Sequence, residues 1–285
     1  MSMEDTEVAQ MGADESRPSE SAGNGKGTSN MDHPPLHVLS LYHRDMNIYG
    51  DSGNILSVTR RAELYGFRPM IRYYNPGDPW PDQVDVILGG GGQDHGQERI
   101  IQDLQKRGSL LADLADWGTP MLMICGLYQL FGHYFETSDH ERLEGIGILD
   151  VHTVARSDRM IGNLVEHSPD FGQVVGYENH SGLTYLGEGT QPLGTVDQEG
   201  RGNNGEDHTE GARRNKVIGT YMHGSLLPKN PAITDYLIGA AADGRYGEGS
   251  LDQMKQAMTE DARQELARLD SLAEQASRIA VSRPR

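Results

Sequence analysis

The stretch Pro120-Met-Leu-Met-Ile-Cys125-Gly126-Leu127-Tyr128-Gln129-Leu130 decides the fold. Four large apolar residues run straight into Cys-Gly, and helical spacing resumes with Tyr128, Leu130 and Phe131. A wholly apolar strand that turns through a small residue into a helix is the elbow that lifts a nucleophile above a sheet edge. A cysteine at that turn stands at a helix N-terminus, where the macrodipole and unpaired backbone N–H groups favour its thiolate. Gly126 allows close backbone approach to an oxyanion. The competing reading takes a lone cysteine as a small buried hydrophobe. It gives the glycine that follows no purpose.

Outward from the elbow, short apolar runs alternate with helix-like stretches. Leu36–Tyr42, Met70–Tyr74, Val84–Leu88 and Met121–Cys125 read as strands, and Asn54–Tyr65 and Gln97–Trp117 as helices. This alternation, with strands apolar throughout, predicts an α/β fold: a mostly parallel central sheet flanked by helices. Gly145–Thr195 holds short strand-like pieces (Ile146–Leu149, Gly172–Tyr177) between glycine and polar turns. Gln198–Lys216 is almost devoid of apolar residues and reads as a mobile surface loop. Val217–Tyr221 returns to strand character, and Pro231–Ala242 and Leu251–Ile279 read as helical. In the last, Leu251, Met254, Met258, Leu266, Leu269, Leu272 and Ile279 form a stripe for the core or a partner. Met1–Pro35, rich in Ser, Gly, Asp and Glu, reads as a disordered tail. The expected organisation is thus a tail over 1–35, a catalytic domain over 36–245 and a helical extension over 246–285.

Composition narrows the partners. A formal charge of −17 repels nucleic acid and anionic membrane surfaces, both of which are bound through Lys/Arg clusters. No apolar run reaches transmembrane length and Met1–Glu20 has no apolar core, so neither a membrane span nor a secretory signal is expected; the expected location is cytoplasmic. A single cysteine excludes an internal disulfide and any multi-cysteine metal site.

A thiolate that attacks an amide needs a group to protonate the departing ammonia. Among 11 histidines, His223 stands apart, because Val217-Ile-Gly-Thr-Tyr-Met-His223-Gly224 is a strand ending in His-Gly. Ligands of open α/β sheets gather at that carboxyl end. His180, in Tyr177-Glu178-Asn179-His180-Ser181-Gly182, is the second candidate; its context suits a loop beside a site or a plain turn. Leu88-Gly89-Gly90-Gly91-Gly92-Gln93 lacks the Gly-Lys-Ser/Thr of a phosphate loop. It reads as a backbone N–H nest for a tetrahedral oxyanion, or as a bare turn.

Taken in order, these segments resemble class I glutamine amidotransferases, and Tyr177–Gly182 resembles their CobB/CobQ-like (cobyric acid synthase-type) branch. The resemblance is carried by Asn47–Asn54, Gly89–Asp94, Ile124–Gln129, Arg159–Asn163, Tyr177–Gly182 and Gly219–Gly224. Within the branch it is strongest to the glutaminase subunits of lipid II isoglutaminyl synthases, which work with a MurT-type, Mur-ligase-like subunit as a heterodimer. The resemblance implies a flavodoxin-like fold, L-glutamine as substrate, and a γ-glutamyl thioester on Cys125 with His223 as acid–base partner. It implies a glutamine grip by Arg159, whose fork suits an α-carboxylate. Oxyanion donors near Gly91 and at Gly126 follow from it, with Gln129 on the substrate side and Glu178 and His180 in support. No cofactor or metal is expected in this chain. ATP and Mg are expected on the partner, which would amidate the D-glutamate α-carboxyl of lipid II.

One position departs from the family. Many members place a Glu two residues after the catalytic His, where this chain has Ser225. The CobB/CobQ-like branch commonly lacks that acid, and the expectation is that the partner supplies it, with Glu178 as the alternative within the chain. Rival readings are a glutaminase for cobalamin synthesis, which usually carries a fused synthetase domain that 285 residues leave no room for, and a non-catalytic scaffold subunit. A cysteine peptidase sharing the elbow leaves Asn47–Asn54 and Tyr177–Gly182 unexplained.

Overall fold

Val86–Gly89, Met121–Ile124 and Val217–Thr220 are buried at every position, as strands covered on both faces must be. They belong to a computed structural model that describes residues 33–283. Of the expected tail, residues 1–32 lie outside the described residues, and Pro35 already opens the first strand. In chain order the first half comprises β1 (Pro35–Leu41), α1 (Ser52–Leu64), β2 (Arg68–Tyr74), β3 (Val86–Gly89), α2 (Asp94–Asp116), β4 (Met121–Ile124) and α3 (Gly126–Phe131). The second begins with strands β5 (Tyr134–Glu136), β6 (Arg142–Glu144), β7 (Val151–Ser168), β8 (Gly172–Leu186) and β9 (Gly194–Val196). It continues with β10 (Thr209–Glu210), β11 (Ala212–Arg214), β12 (Val217–Thr220), α4 (Leu226–Lys229), α5 (Pro231–Tyr246), α6 (Ser250–Ala257) and α7 (Glu260–Ser282).

The central sheet runs β11-β12-β4-β3-β1-β2, parallel except for the antiparallel edge strand β11. Its core is Val38, Leu39, Ile87, Leu122, Ile124 and Ile218, all at most 1% exposed, under α1, α3 and α5. Each such side chain stabilises the fold by roughly 1.5–3 kcal/mol over its exposed form. Because β1, β3, β4 and β12 are parallel, the segments following them emerge at one edge. That edge gathers the loop to Asp51, the glycine turn, Cys125 and His223.

The middle of the chain departs from the sequence reading. In place of short pieces it forms one long hairpin, β7–β8, paired from Val151↔Leu186 to Ser168↔Gly172. Ile146–Leu149 carries no strand. Cross-strand pairing sustains polar stretches such as Glu166–Ser168, which carry no strand pattern of their own. The hairpin belongs to a second sheet, β10-β9-β7-β5-β6, with β8 on the other side of β7.

Nor is Gln198–Lys216 a surface loop. It contains β10 and β11, and Arg201, Asn203, Asn204 and Glu210 are all buried. Asn203 donates to Thr209 Oγ1 (3.0 Å) and the Gly211 carbonyl (2.9 Å) and accepts from the Tyr128 hydroxyl (3.1 Å). A segment almost without apolar residues packs inside because its polar groups satisfy one another. The C-terminal stripe divides at Met258, since Thr259 Oγ1 accepts from Ala262 N (3.2 Å) and starts a new helix, α7. Arg61 of α1 clamps that helix through Asp270 (2.6 Å) and also binds Asp235 of α5 (2.7 Å), while Leu272 and Ile279 stay exposed.

Candidate active site

Cys125 takes φ 50°, ψ −102°, a conformation a non-glycine residue rarely adopts. Its amide donates to the Thr220 carbonyl of β12 (2.8 Å), and its own carbonyl accepts from Gln129 N of α3 (2.9 Å). Strand and helix thus hold the elbow from both sides, and the side chain remains 7% exposed.

His223 lies just past β12, its backbone paired in both directions with Tyr177 of β8 (2.7 and 3.3 Å). Its Nδ1 is 3.3 Å from Asp51 Oδ1, and Tyr49 packs edgewise on its ring at 5.0 Å. Burial would lower the imidazole pKa; the Cys125 thiolate beside it and the Asp51 carboxylate override that and push it up to about 10. A protonated His223 paired with a thiolate is the form that can hand a proton to a leaving amine.

Asp51 is the acid the sequence reading did not find. It lies in Asn47–Asn54, a segment singled out for its resemblance and given no role. Its second oxygen accepts from Gly91 N (2.7 Å), so the carboxylate is aimed by backbone. The sequence reading looked to the partner for an orienting acid; within this chain, Asp51 stands at that place beside Nδ1. Glu178 is corrected: it is fully buried and bound to Arg201 and Gly202 N, away from His223 Nδ1. Ser225 donates to the Gly50 carbonyl (2.6 Å) and buttresses the turn that presents Asp51.

The glycine turn is a close approach. A Cβ on Gly91 would stand 2.5 Å from His223 Cε1 and 3.2 Å from Cys125 Cβ. Because Gly91 N is committed to Asp51, the amides left to face an oxyanion are those of Gly92 and Gly126. A Cβ on Gly126 would come within 3.1 Å of Gly92 N. The sequence reading put the donors near Gly91 and at Gly126; Gly91 N itself goes to Asp51.

Cys125 opens into a cavity of about 490 Å³, lined also by Tyr49, Gly92, Gln129, Arg159 and His180. That is room for a small polar metabolite. Gln129 is wall: its Oε1 accepts from Gln97 (2.8 Å) and its Nε2 donates to the Tyr221 hydroxyl (3.1 Å). Arg159 lies within an irregularity in β7 between Ala155 and Met160, where four residues of β7 face Ser181 alone. Such bulges re-aim side chains beside sites. The exposed guanidinium is seated on Asn179, with Nη2 donating to its Oδ1 (2.8 Å) and carbonyl (3.3 Å). Asn179 was missed because nothing in sequence tells a seat from a turn residue. Among the described residues, no group of three or more His, Cys, Asp or Glu is arranged to hold a metal, and no helix is long and apolar enough to cross a membrane.

Comparison with known proteins gives this geometry a family. In structure, the PurLQS complex of Thermotoga maritima contains a chain of the same fold, with TM-score 0.51 at 14% identity, covering 71% of this chain and 99% of that one. In sequence, the chain is 40% identical over 212 residues to the glutamine-hydrolyzing lipid II isoglutaminyl synthase subunit GatD of Staphylococcus aureus strain N315, covering 73% of this chain and 86% of that one. It is 34% identical to GatD of Streptococcus pneumoniae strain R6, over 75% and 83% of the two chains. Residues 37–231 match the CobB/CobQ-like glutamine amidotransferase domain. With Cys125, His223 and Asp51 all inside that span, the chain belongs to the CobB/CobQ-like glutamine amidotransferases.

Proposed function

We propose that this chain is the glutaminase subunit of a lipid II isoglutaminyl synthase. The observation that carries the reading is the Cys125–His223–Asp51 alignment beside an arginine-seated cavity, in a chain 40% identical to a GatD across most of both lengths. Arg159 takes the α-carboxylate of L-glutamine and points its side-chain amide towards Cys125. The Cys125 thiolate forms a C–S bond to the amide carbon, and the amides of Gly92 and Gly126 receive the oxyanion. His223 then gives its proton to the nitrogen, the C–N bond breaks, and ammonia leaves a γ-glutamyl thioester. Neutral His223 next takes a proton from water, whose oxygen attacks the thioester. Collapse expels the thiolate and releases glutamate, and the thiolate–imidazolium pair is restored. Asp51 keeps the imidazole in one orientation through both transfers and lowers the cost of its charged form.

In this reading the ammonia passes to a MurT-type, Mur-ligase-like subunit in the cytoplasm. That subunit holds ATP and Mg and amidates the D-glutamate α-carboxyl of lipid II to D-isoglutamine. The test is copurification with such a subunit, followed by glutamine- and ATP-dependent amidation of lipid II. Cys125→Ala is expected to abolish glutamine-driven amidation, retain amidation driven by ammonium salts, and leave partner binding unchanged. A wild-type complex that does not use glutamine would sink the proposal.

A further inference from the structure

Beneath the cavity wall lies a buried charged cluster that the chemistry above does not use. Glu178 of β8 is 0% exposed; one of its oxygens accepts from Arg201 Nη1, and the other from Gly202 N (3.1 Å). Arg201, 4% exposed, comes from the polar segment between β9 and β10. Glu178 Oε2 also faces His180 Nε2 at 3.6 Å. His180 Nδ1 is 2.8 Å from the Gly182 carbonyl, which can only accept, so Nδ1 carries the proton. Nε2 is therefore left toward Glu178, buried and without a hydrogen-bond partner. The ring lies flat on Tyr221 (3.6 Å, 4°), whose hydroxyl holds Gln129.

Two apolar side chains of similar volume often stabilise a fold as well as a buried ion pair does. Arg201 and Glu178 are thus better explained by what they hold in place. Asn179, His180, Ser181 and Gly182 line the same cavity as Cys125, and Asn179 is the seat of Arg159. We infer that Arg201 is a positioning residue for glutamine: through Glu178 and His180 it fixes Asn179–Gly182, and so the seat of Arg159. The polar segment between β9 and β10 thereby sets the affinity of the site. The inference rests on the proposed role of Arg159 as the carboxylate grip. A grip on the non-reacting end of a substrate holds ground state and transition state alike, so its loss appears in KM with kcat kept.

The experiment uses the full chain with its partner subunit, measuring glutamine kinetics, L-glutamine binding in a Cys125→Ala background, and thermal unfolding. Arg201→Leu is expected to raise KM for glutamine roughly tenfold, with kcat within about threefold, and to weaken binding in parallel. Arg201→Lys should recover part of the affinity. Since Arg201→Leu leaves a buried carboxylate unpaired, the double variant Arg201→Leu/Glu178→Gln keeps the test open if the single one unfolds; it should fold and still bind glutamine weakly. Arg61→Leu, which breaks the clamp on α7, is the control: Tm falls and KM does not rise. An unchanged KM in either folded Arg201 variant, or a fall in kcat alone, overturns the inference and leaves the proposed function standing. A wild-type complex without glutamine turnover overturns both.

Discussion

Asp51 and His223 are 172 positions apart in the chain and 3.3 Å apart in the fold. Asp51 also holds Gly91 N, so one carboxylate ties three converging segments together. The pH dependence follows from its charge. His223 is raised to about 10, so the imidazolium that protonates the leaving ammonia persists at neutral pH and is lost as pH rises through that value. Asp51 is one of the groups that raise it. Asp51→Asn should therefore move the alkaline limb of the glutaminase pH–rate profile to lower pH, and lower kcat by roughly two orders of magnitude as the ring loses its orientation. The full profile of the two proteins checks this; a limb that stays in place shows that Asp51 does not act on His223. Cys125 and His223 were legible from their strand-end positions. Asp51 was not, because a carboxylate in a Gly-Asp-Ser-Gly turn looks the same whether it caps a helix or orients an imidazole.

At the level of elements, the segment between β9 and β10 runs furthest from its sequence reading. Low apolar content made it look like a loop, yet Asn203 is fully buried and joins Tyr128, Thr209 and Gly211. Asn203→Ala leaves those groups without partners and should destabilise the chain by about 1–3 kcal/mol, read as a fall in chemical-denaturation midpoint at unchanged m-value. A midpoint that does not move means water reaches the site. The parallel strands were legible because an unbroken apolar run has few alternatives to burial on both faces. The β7–β8 hairpin was not, because its pairing energy lies between strands and no local pattern carries it.

Across the whole molecule, the second sheet meets β12 through the buried carboxyl of Glu210, with a second buried carboxyl, Glu166, beside it. Glu210 accepts from Thr220 Oγ1 (2.9 Å) and Tyr221 N (2.7 Å). Glu166, also fully buried, has neither oxygen hydrogen-bonded among the described residues. Burial first, then the charge of Glu210, raises Glu166 well above the usual carboxylate range. Burial likewise raises Glu210 from 4.5 to about 7, against the opposing pull of Tyr221 N and Thr220. Between those two values the folded chain keeps a proton the unfolded chain has released, so stability falls as pH rises through the interval. Tm measured from pH 5 to 8 should decline, and Glu166→Gln should flatten the decline and raise Tm at the alkaline end. A steeper decline in that variant would show that the pair is not the cause.

The sequence by itself determined the α/β architecture, the elbow at Cys125 and the strand-end place of His223. Each follows from local rules: an apolar run must be buried, and a strand passing through Cys-Gly into a helix must turn there. Only the tertiary structure decided that Asp51 meets His223, that Gly91 N is bound by that same carboxylate, and that a polar segment is core. Those outcomes depend on which distant polar groups satisfy one another once water is excluded, and periodicity and composition carry no record of that pairing.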